Sequence, residues 1–241
     1  MQPEWAPLPE DWTSVLAVVA HPDDLEYGVS AAVAAWTAAG KRVAYLLVTR
    51  GEAGIATMPP GEAGPAREAE QRASAAEVGV ADVRFLDHRD GVVVEGVALR
   101  RDIARVVRQV RPDLVVAQNY HPQWPGPDGP RGWNSADHRA VGRATIDAVG
   151  DAGNRWIHAE LAEEGLQPHT ARHVVVGSSS AARHAVDVTG FVDQAVASLV
   201  QHQLYLAALE KRPAAEQARE VVTRMVGGDL EHPRVTFELI Y

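Results

Sequence analysis

Cysteine is absent from the 241 residues. That excludes a disulfide scaffold, thiolate zinc sites, iron–sulfur clusters and a cysteine nucleophile. Lysine is almost absent too: Lys41 and Lys211 stand alone, so 21 of the 23 basic residues are arginine. Beside so much alanine, this reflects GC-rich coding rather than function. Positive charge is in deficit, with 32 acidic residues and a net charge of −9. Such a chain repels phosphate backbones, which argues against general nucleic-acid binding. No apolar run approaches the roughly 20 residues of a membrane span. The first residues, MQPEWAPLPEDW, lack the basic start and apolar stretch of a signal peptide. The expectation is a cytoplasmic protein whose partner is a small molecule, with homo-oligomerisation left open. No internal repeat, low-complexity tract or linker divides the chain, so one domain over 1–241 is expected.

What is present alternates. Residues 15–20 (VLAVVA) and 43–49 (VAYLLVT) are short apolar runs, as strands buried on both faces should be. Shorter strands are expected at 83–86 and 114–117. Between them fall helical stretches at 26–39, 66–78 and 99–110, the first two stopped by Gly40 and Gly79 and the third followed by Pro112. A long Pro/Gly loop covers 118–132, and a further helix starts near Ser135. This βαβαβαβ order predicts an α/β fold of the doubly wound, Rossmann-like kind, a mostly parallel sheet with helices on both faces. In the second half, strands are expected at 173–177, 185–188 and 235–240. One long amphipathic helix is expected over 189–209.

The first strand ends in His21-Pro22-Asp23-Asp24-Leu25-Glu26. A dinucleotide-binding turn would be glycine-rich here, so that pyrophosphate could approach the helix. Three carboxylates instead repel phosphate. Imidazole beside carboxylate at the mouth of a sheet suits a divalent metal. The third ligand must come from elsewhere, and His138 in Asn134-Ser135-Ala136-Asp137-His138 is the best candidate. In a sheet ordered 3-2-1-4 the first and fourth strands are neighbours, and their C-terminal ends flank the switch-point crevice. That topology brings His21, Asp24 and His138 together. The plainer alternative makes Asp24 a helix N-cap. Of the remaining histidines, His121 and His202 are the two not dismissed as surface or packing residues.

These residues resemble the PIG-L (LmbE-like) deacetylase family, zinc-dependent hydrolases that remove N-acetyl groups, commonly from glucosamine-containing compounds. HPDDLEYG is similar to the family's A-H-P-D-D signature, and VTRGEAG, AREAEQRASAAEVGV, DHRDG, NSADHRAVG and VDVTGFVDQAVASLVQHQLYL follow in the family's order. The resemblance implies zinc on His21, Asp24 and His138; the donor set itself also suits Fe(II) or another divalent ion. It implies Asp23 as general base toward a metal-activated water, and Arg67 and Asp90 as contacts to the substrate, an amino sugar or other N-acylated compound. Taken alone, Arg67 could be an exposed helix residue paired with Glu68 or Glu70, and Asp90 only the turn residue before Gly91.

The chain departs from the family where the second motif often begins with a histidine: here stands Ser135, a good helix N-cap. His121, on the loop after the fourth strand, is the candidate replacement for the missing proton donor. Asp137 is expected to support the site rather than bind metal. The 118–132 loop carries Trp124, and Trp133 follows it. Both are read as a substrate wall, Trp133 in contact with the sugar or acyl group. Two rivals remain at this level: a zinc hydratase or lyase on the same scaffold, and a non-catalytic domain that has kept its metal.

Overall fold

The computed structural model describes residues 5–124, 126 and 131–241. The first four residues and 125 and 127–130 of the 118–132 loop lie outside the described residues. In chain order the elements are β1 (Ala6–Pro7), β2 (Ser14–Val19), α1 (Ser30–Ala38), β3 (Arg42–Leu47), α2 (Pro60–Glu77), β4 (Asp82–Phe85), α3 (Val97–Val110), β5 (Leu114–Ala117), β6 (Gln123–Trp124) and β7 (Arg131–Trp133). Then follow α4 (Ala136–Gly153), α5 (Ala159–Glu163), β8 (His173–Gly177), β9 (His184–Asp187), α6 (Val192–Val200), α7 (Gln203–Leu209), α8 (Ala214–Met225) and β10 (Arg234–Leu239).

Eight strands form one sheet in the order β1-β9-β10-β8-β5-β2-β3-β4. From β8 to β4 every pairing is parallel, and β10 enters antiparallel between β8 and β9. The expected 3-2-1-4 order is therefore the order β4-β3-β2-β5. Central β2 is buried on both faces, and its side chains alternate between two cores as a strand's must. Val15, Ala17 and Val19 join the layer containing Trp36, Leu199 and Val222, on α1, α6 and α8. Leu16 and Val18 join Leu99, Ile103, Val141 and Ala148, on α3 and α4.

Three expectations need correction. The helix expected from residue 26 starts at Ser30, because 21–29 are used by turns with hydrogen bonds such as Glu26 N–H to Asp23 O and Ser30 N–H to Leu25 O. The helix expected from 66 starts at Pro60, with Pro59 as its N-cap; proline at the first helical position sacrifices no intrahelical bond. The single helix expected over 189–209 is two, α6 and α7, broken at Gln201 and His202. The apolar spacing runs across the break. His202 leaves helical geometry (φ −80°, ψ 54°) and buries its side chain completely opposite Glu26. Helices α5 and α8 and the small β6–β7 hairpin were not foreseen.

Candidate metal centre

The site lies beyond the C-terminal ends of β2 and β5. Strand β2 delivers His21 to Asp24, and helix α4 carries His138 in its first turn. His21 Nδ1 lies 3.2 Å from His138 Nε2 and 3.4 Å from Asp24 Oδ2, and His138 Nε2 lies 3.0 Å from Asp24 Oδ1. Asp24 is not a helix cap. Its Oδ2 accepts the His21 backbone N–H at 2.8 Å and so closes the turn.

The neighbours set both imidazole tautomers. His138 Nδ1–H donates to Asn134 Oδ1 at 2.9 Å, and Asn134 is itself oriented by donating from Nδ2 to the carbonyls of Asn119 and His121. His21 Nε2 faces Asp90 Oδ1 at 3.1 Å and Asp137 Oδ2 at 3.2 Å. Both remaining nitrogens, His21 Nδ1 and His138 Nε2, thus present lone pairs to one another and to a carboxylate. Such a donor set is complete only around a cation, and two histidines with one carboxylate suit a divalent metal. Burial alone would lower the His21 pKa, but the Asp24 charge and the hydrogen bonds to Asp137, Asp24 and Asp90 together outweigh it and raise it well above the ordinary histidine range. Burial would raise Asp24, yet the His138 and His21 charges hold it below the ordinary carboxylate range. The same field favours a bound cation.

Asp23 points elsewhere. Its φ of +81° lies in the left-handed region, a strain of about 1–3 kcal/mol for a non-glycine residue. Its Oδ2 accepts from Arg67 at 2.6 Å, and its carboxylate lines the cavity together with His21, Asp24 and His138. Burial pushes the Asp23 carboxyl up to about 7, against the opposing charge of Arg67.

The other expected residues take specific places. Arg67 is buried, not an exposed partner of Glu68 or Glu70. Its guanidinium donates to Asp23, Pro22 O and Gly51 O and lies 4.3 Å from the Tyr205 ring centre. It fits a slot that only glycine leaves open, since a Cβ at Gly51 or Gly54 would meet Arg67 Nη1 at 2.2 or 2.4 Å. Asp90 has both oxygens engaged, Oδ1 at His21 and Oδ2 on the Ala53 N–H at 2.8 Å, so it stands beside Asp137 as an orienting carboxylate while still lining the cavity. Asp137 accepts the Gly91 and Val93 N–H groups and faces His21 Nε2. Ser135 is the N-cap of α4, accepting the His138 N–H at 3.0 Å.

Two of the expected residues lie apart from the cluster. The structure does not bring His121 to the cluster: its Nε2 lies 2.7 Å from Glu238 Oε2 and its ring stacks on Tyr120, drawn aside by that carboxylate. Trp133 is 70% exposed under the Arg139 guanidinium, because β7 turns it outward. Trp124, on the paired strand, lines the cavity instead and meets the His138 ring edge-to-face at 5.5 Å. Sequence reasoning missed Asn134 as the residue that orients His138. Its spacing of four from His138 across the cap was the available signal.

The cavity has a volume of about 1420 Å³. It is lined by His21, Asp24 and His138, by Tyr27 and Tyr205, and by Leu209, Arg224 and Met225 on α7 and α8.

The profile of a known family, PIG-L, described as GlcNAc-PI de-N-acetylase, matches residues 16–149, more than half of the chain. The chain belongs to the PIG-L family. A diacetylchitobiose deacetylase of Thermococcus kodakarensis is 28% identical over 195 residues, which is 80% of this chain and 70% of that protein. The solved N,N'-diacetylchitobiose deacetylase of Pyrococcus horikoshii superposes with a TM-score of 0.81, covering 95% of this chain and 84% of that one at 21% identity. The 4-carboxy-2-hydroxymuconate hydratase of Pseudomonas putida superposes at 0.72, covering 95% and 96% at 17% identity. These two superpositions establish the LmbE-like fold. Since they join a deacetylase and a hydratase, the scaffold alone does not select the chemistry.

Proposed function

We propose that this PIG-L chain is a metal-dependent N-deacetylase that hydrolyses the N-acetyl amide of an amino sugar or glycoconjugate. The observation that carries the reading is the division of labour between neighbouring aspartates. Asp24 converges with His21 and His138 on one point, while Asp23 enters the same cavity with its pKa raised to about 7. A carboxyl poised there can take a proton from water and return it near neutral pH. The family profile is described as a GlcNAc-PI de-N-acetylase and the Thermococcus relative as a diacetylchitobiose deacetylase, which favours an amide over the double bond of a hydratase.

His21 Nδ1, Asp24 and His138 Nε2 would hold the ion, and zinc is the expected metal. When bound, it supplies a Lewis acid that polarises a carbonyl and lowers the pKa of water towards about 7. Asp23 accepts the proton of the attacking water and delivers it to the leaving amine, since Ser135 is committed to its cap and His121 to Glu238. Arg67 holds Asp23 in place. Asp90 and Asp137 keep His21 in its ligand tautomer. Trp124 forms the wall beside His138. The cavity exceeds the roughly 300–1,000 Å³ of a common small-molecule site, which leaves room for a group attached to the sugar.

The test is acetate release from N-acetylglucosamine, diacetylchitobiose and N-acetylglucosaminyl-inositol, by protein stripped with chelator and reloaded with zinc, Fe(II) or cobalt. Activity should return with metal and one amine should appear per acetate. The His138→Ala protein should keep neither metal nor activity. Water addition to an unsaturated acid without amide hydrolysis would favour the hydratase reading. Reloaded protein inert on both substrate classes would favour a binding domain.

A further inference from the structure

Behind the proposed base lies a buried polar network that the reaction does not itself use. Gln71 sits one helical turn after Arg67 on the same face of α2. Its Oε1 accepts the Asp23 backbone N–H at 2.9 Å, and its Nε2 donates to Glu26 Oε1 at 3.2 Å. Ser74 Oγ donates to the same Glu26 oxygen at 2.8 Å, and Ser198 Oγ donates to the Ser74 carbonyl at 3.0 Å. Glu26 Oε2 stands 3.3 Å from His202 Nε2. Gln71, Ser74, Ser198 and His202 are 0% exposed and Glu26 is 1% exposed.

We infer that Gln71, oriented by Glu26, is a positioning residue that holds Asp23 in its left-handed turn so that the carboxylate, gripped by Arg67, lines the cavity it shares with His21, Asp24 and His138. Two side chains of one helix clamp the same residue from two sides: Arg67 grips the carboxylate and Gln71 grips the main-chain N–H. The amide of Gln71 has only one useful orientation. Turned over, its NH₂ would face the Asp23 N–H and its oxygen would face the Glu26 carboxylate. Glu26 therefore fixes which end of Gln71 meets Asp23. The break between α6 and α7 completes the device, since it turns His202 inward against Glu26 and places Tyr205 over Arg67. The Gln71 amide is engaged at both ends, by the Asp23 N–H and by Glu26, and a buried amide held in this way specifies one arrangement. Here that arrangement keeps a backbone conformation that relaxation would otherwise remove.

The inference rests on Asp23 acting as the base, and the experiment separates the two. In the zinc-reloaded protein, kcat, KM, metal content and thermal midpoint would be measured for Gln71→Met, Asp23→Asn and the double variant, on the acetylated sugar that the wild-type protein hydrolyses. Methionine keeps the volume of glutamine and removes both hydrogen bonds. Gln71→Met should lower kcat by about 10- to 100-fold, the scale of a small misplacement of a reacting group. KM should stay within about twofold and metal content should not change. Because Gln71 acts through Asp23, the double variant should be no slower than Asp23→Asn alone. Wild-type kcat in Gln71→Met beside an inactive Asp23→Asn overturns the positioning role and leaves the base in place. A fully active Asp23→Asn overturns the base. A double variant slower by the product of the two losses assigns Gln71 a purely structural effect.

If Gln71→Met does not fold, Gln71→Glu and its pairing with Glu26→Gln carry the same test. The single change sets two carboxylates against each other. The pair restores an acceptor for Asp23 and a donor at position 26, and should recover most of kcat. Failure of the pair to recover it, with metal bound and the fold intact, would count against the inference.

Discussion

Adjacent aspartates on one turn have opposite fates because their backbones differ. Asp24 folds back on the His21 N–H and faces two imidazoles, whereas the positive φ of Asp23 turns its carboxylate toward Arg67. Asp23→Asn should therefore retain zinc and lose activity by at least about 10²-fold, the usual scale for a general base, while Asp24→Asn should lose zinc. Elemental analysis of the two purified proteins decides it, and the reverse pattern would show the roles exchanged. Ser135→Ala should cost about 0.5–2 kcal/mol of stability, as lost N-caps do, with turnover nearly unchanged. His121→Gln should also leave turnover near wild type, because its partner is Glu238 rather than the cluster. A large drop in either turnover would return that residue to the proton path. At this scale the clustering of His21 and Asp24 with His138 was legible because a fully apolar strand ends abruptly in His-Pro-Asp-Asp. Asn134 and Gln71 were not, since a buried amide in a helix or its cap has the same sequence signature as a solvated one. The burial of Arg67 was hidden for a related reason: the glycines that make its slot, Gly51 and Gly54, are more than a turn of structure away in sequence.

Elements place these residues with little slack. Helix α4 crosses the end of β5 so closely that a Cβ on Gly142 would meet the Gln118 carbonyl oxygen at 2.4 Å and the Tyr120 Cβ at 2.8 Å. Those obstacles are a backbone oxygen and the stem of a side chain, not the end of a flexible one. Gly142→Ala must therefore push the helix away, at a cost of about 1–3 kcal/mol for overpacking. His138 lies one turn earlier on the same helix, so metal affinity should fall together with the thermal midpoint. A calorimetric melt and a zinc titration test this, and an unchanged zinc affinity would show that the helix start is anchored independently, through Asn134 and Ser135. The parallel strands and the crevice between β2 and β5 could be read from the sequence because buried strands are short, apolar and separated by helices of crossover length. The α6–α7 break could not, because apolar periodicity continues through it and only Glu26, far away in the chain, explains why His202 turns inward. Helix α8 was not legible because half of its positions are polar and it follows directly on Pro213.

Across the whole molecule, acid stability turns on charge balance and on the partners of individual carboxylates. Between pH 7 and the sequence pI near 5.5 the net charge shrinks from −9, which relieves self-repulsion. Below that pH the net charge turns positive and the carboxylates begin to protonate. Asp113 shows the consequence at the N-terminal ends of the central strands β2 and β5, away from the candidate metal centre. Its Oδ2 accepts from the backbone N–H and the hydroxyl of both Thr13 and Ser14, tying the start of β2 to the start of β5. The Thr13 N–H is the main reason its pKa lies below the ordinary aspartate value. A depressed carboxyl contributes stability that is fully present above its unfolded value of about 3.9 and is lost as pH falls through the folded value. Asp187, held down chiefly by the Thr189 N–H, follows the same direction. For Glu238, burial raises the pKa, but hydrogen bonds from Ser179 and His121 outweigh it, so its sign is the same. The thermal midpoint of the metal-stripped protein should thus be level or slightly higher on going from pH 7 to about 5.5, then fall steeply towards pH 3. Asp113→Asn should lower stability at pH 7 by about 1–2 kcal/mol, since a neutral amide replaces a charged acceptor partly open to water. It should also flatten the acid limb, because the lost contribution no longer depends on protonation. Calorimetric scans of both proteins from pH 7 to 3 provide the comparison, and parallel acid limbs separated by a constant offset would remove Asp113 from the account of acid unfolding.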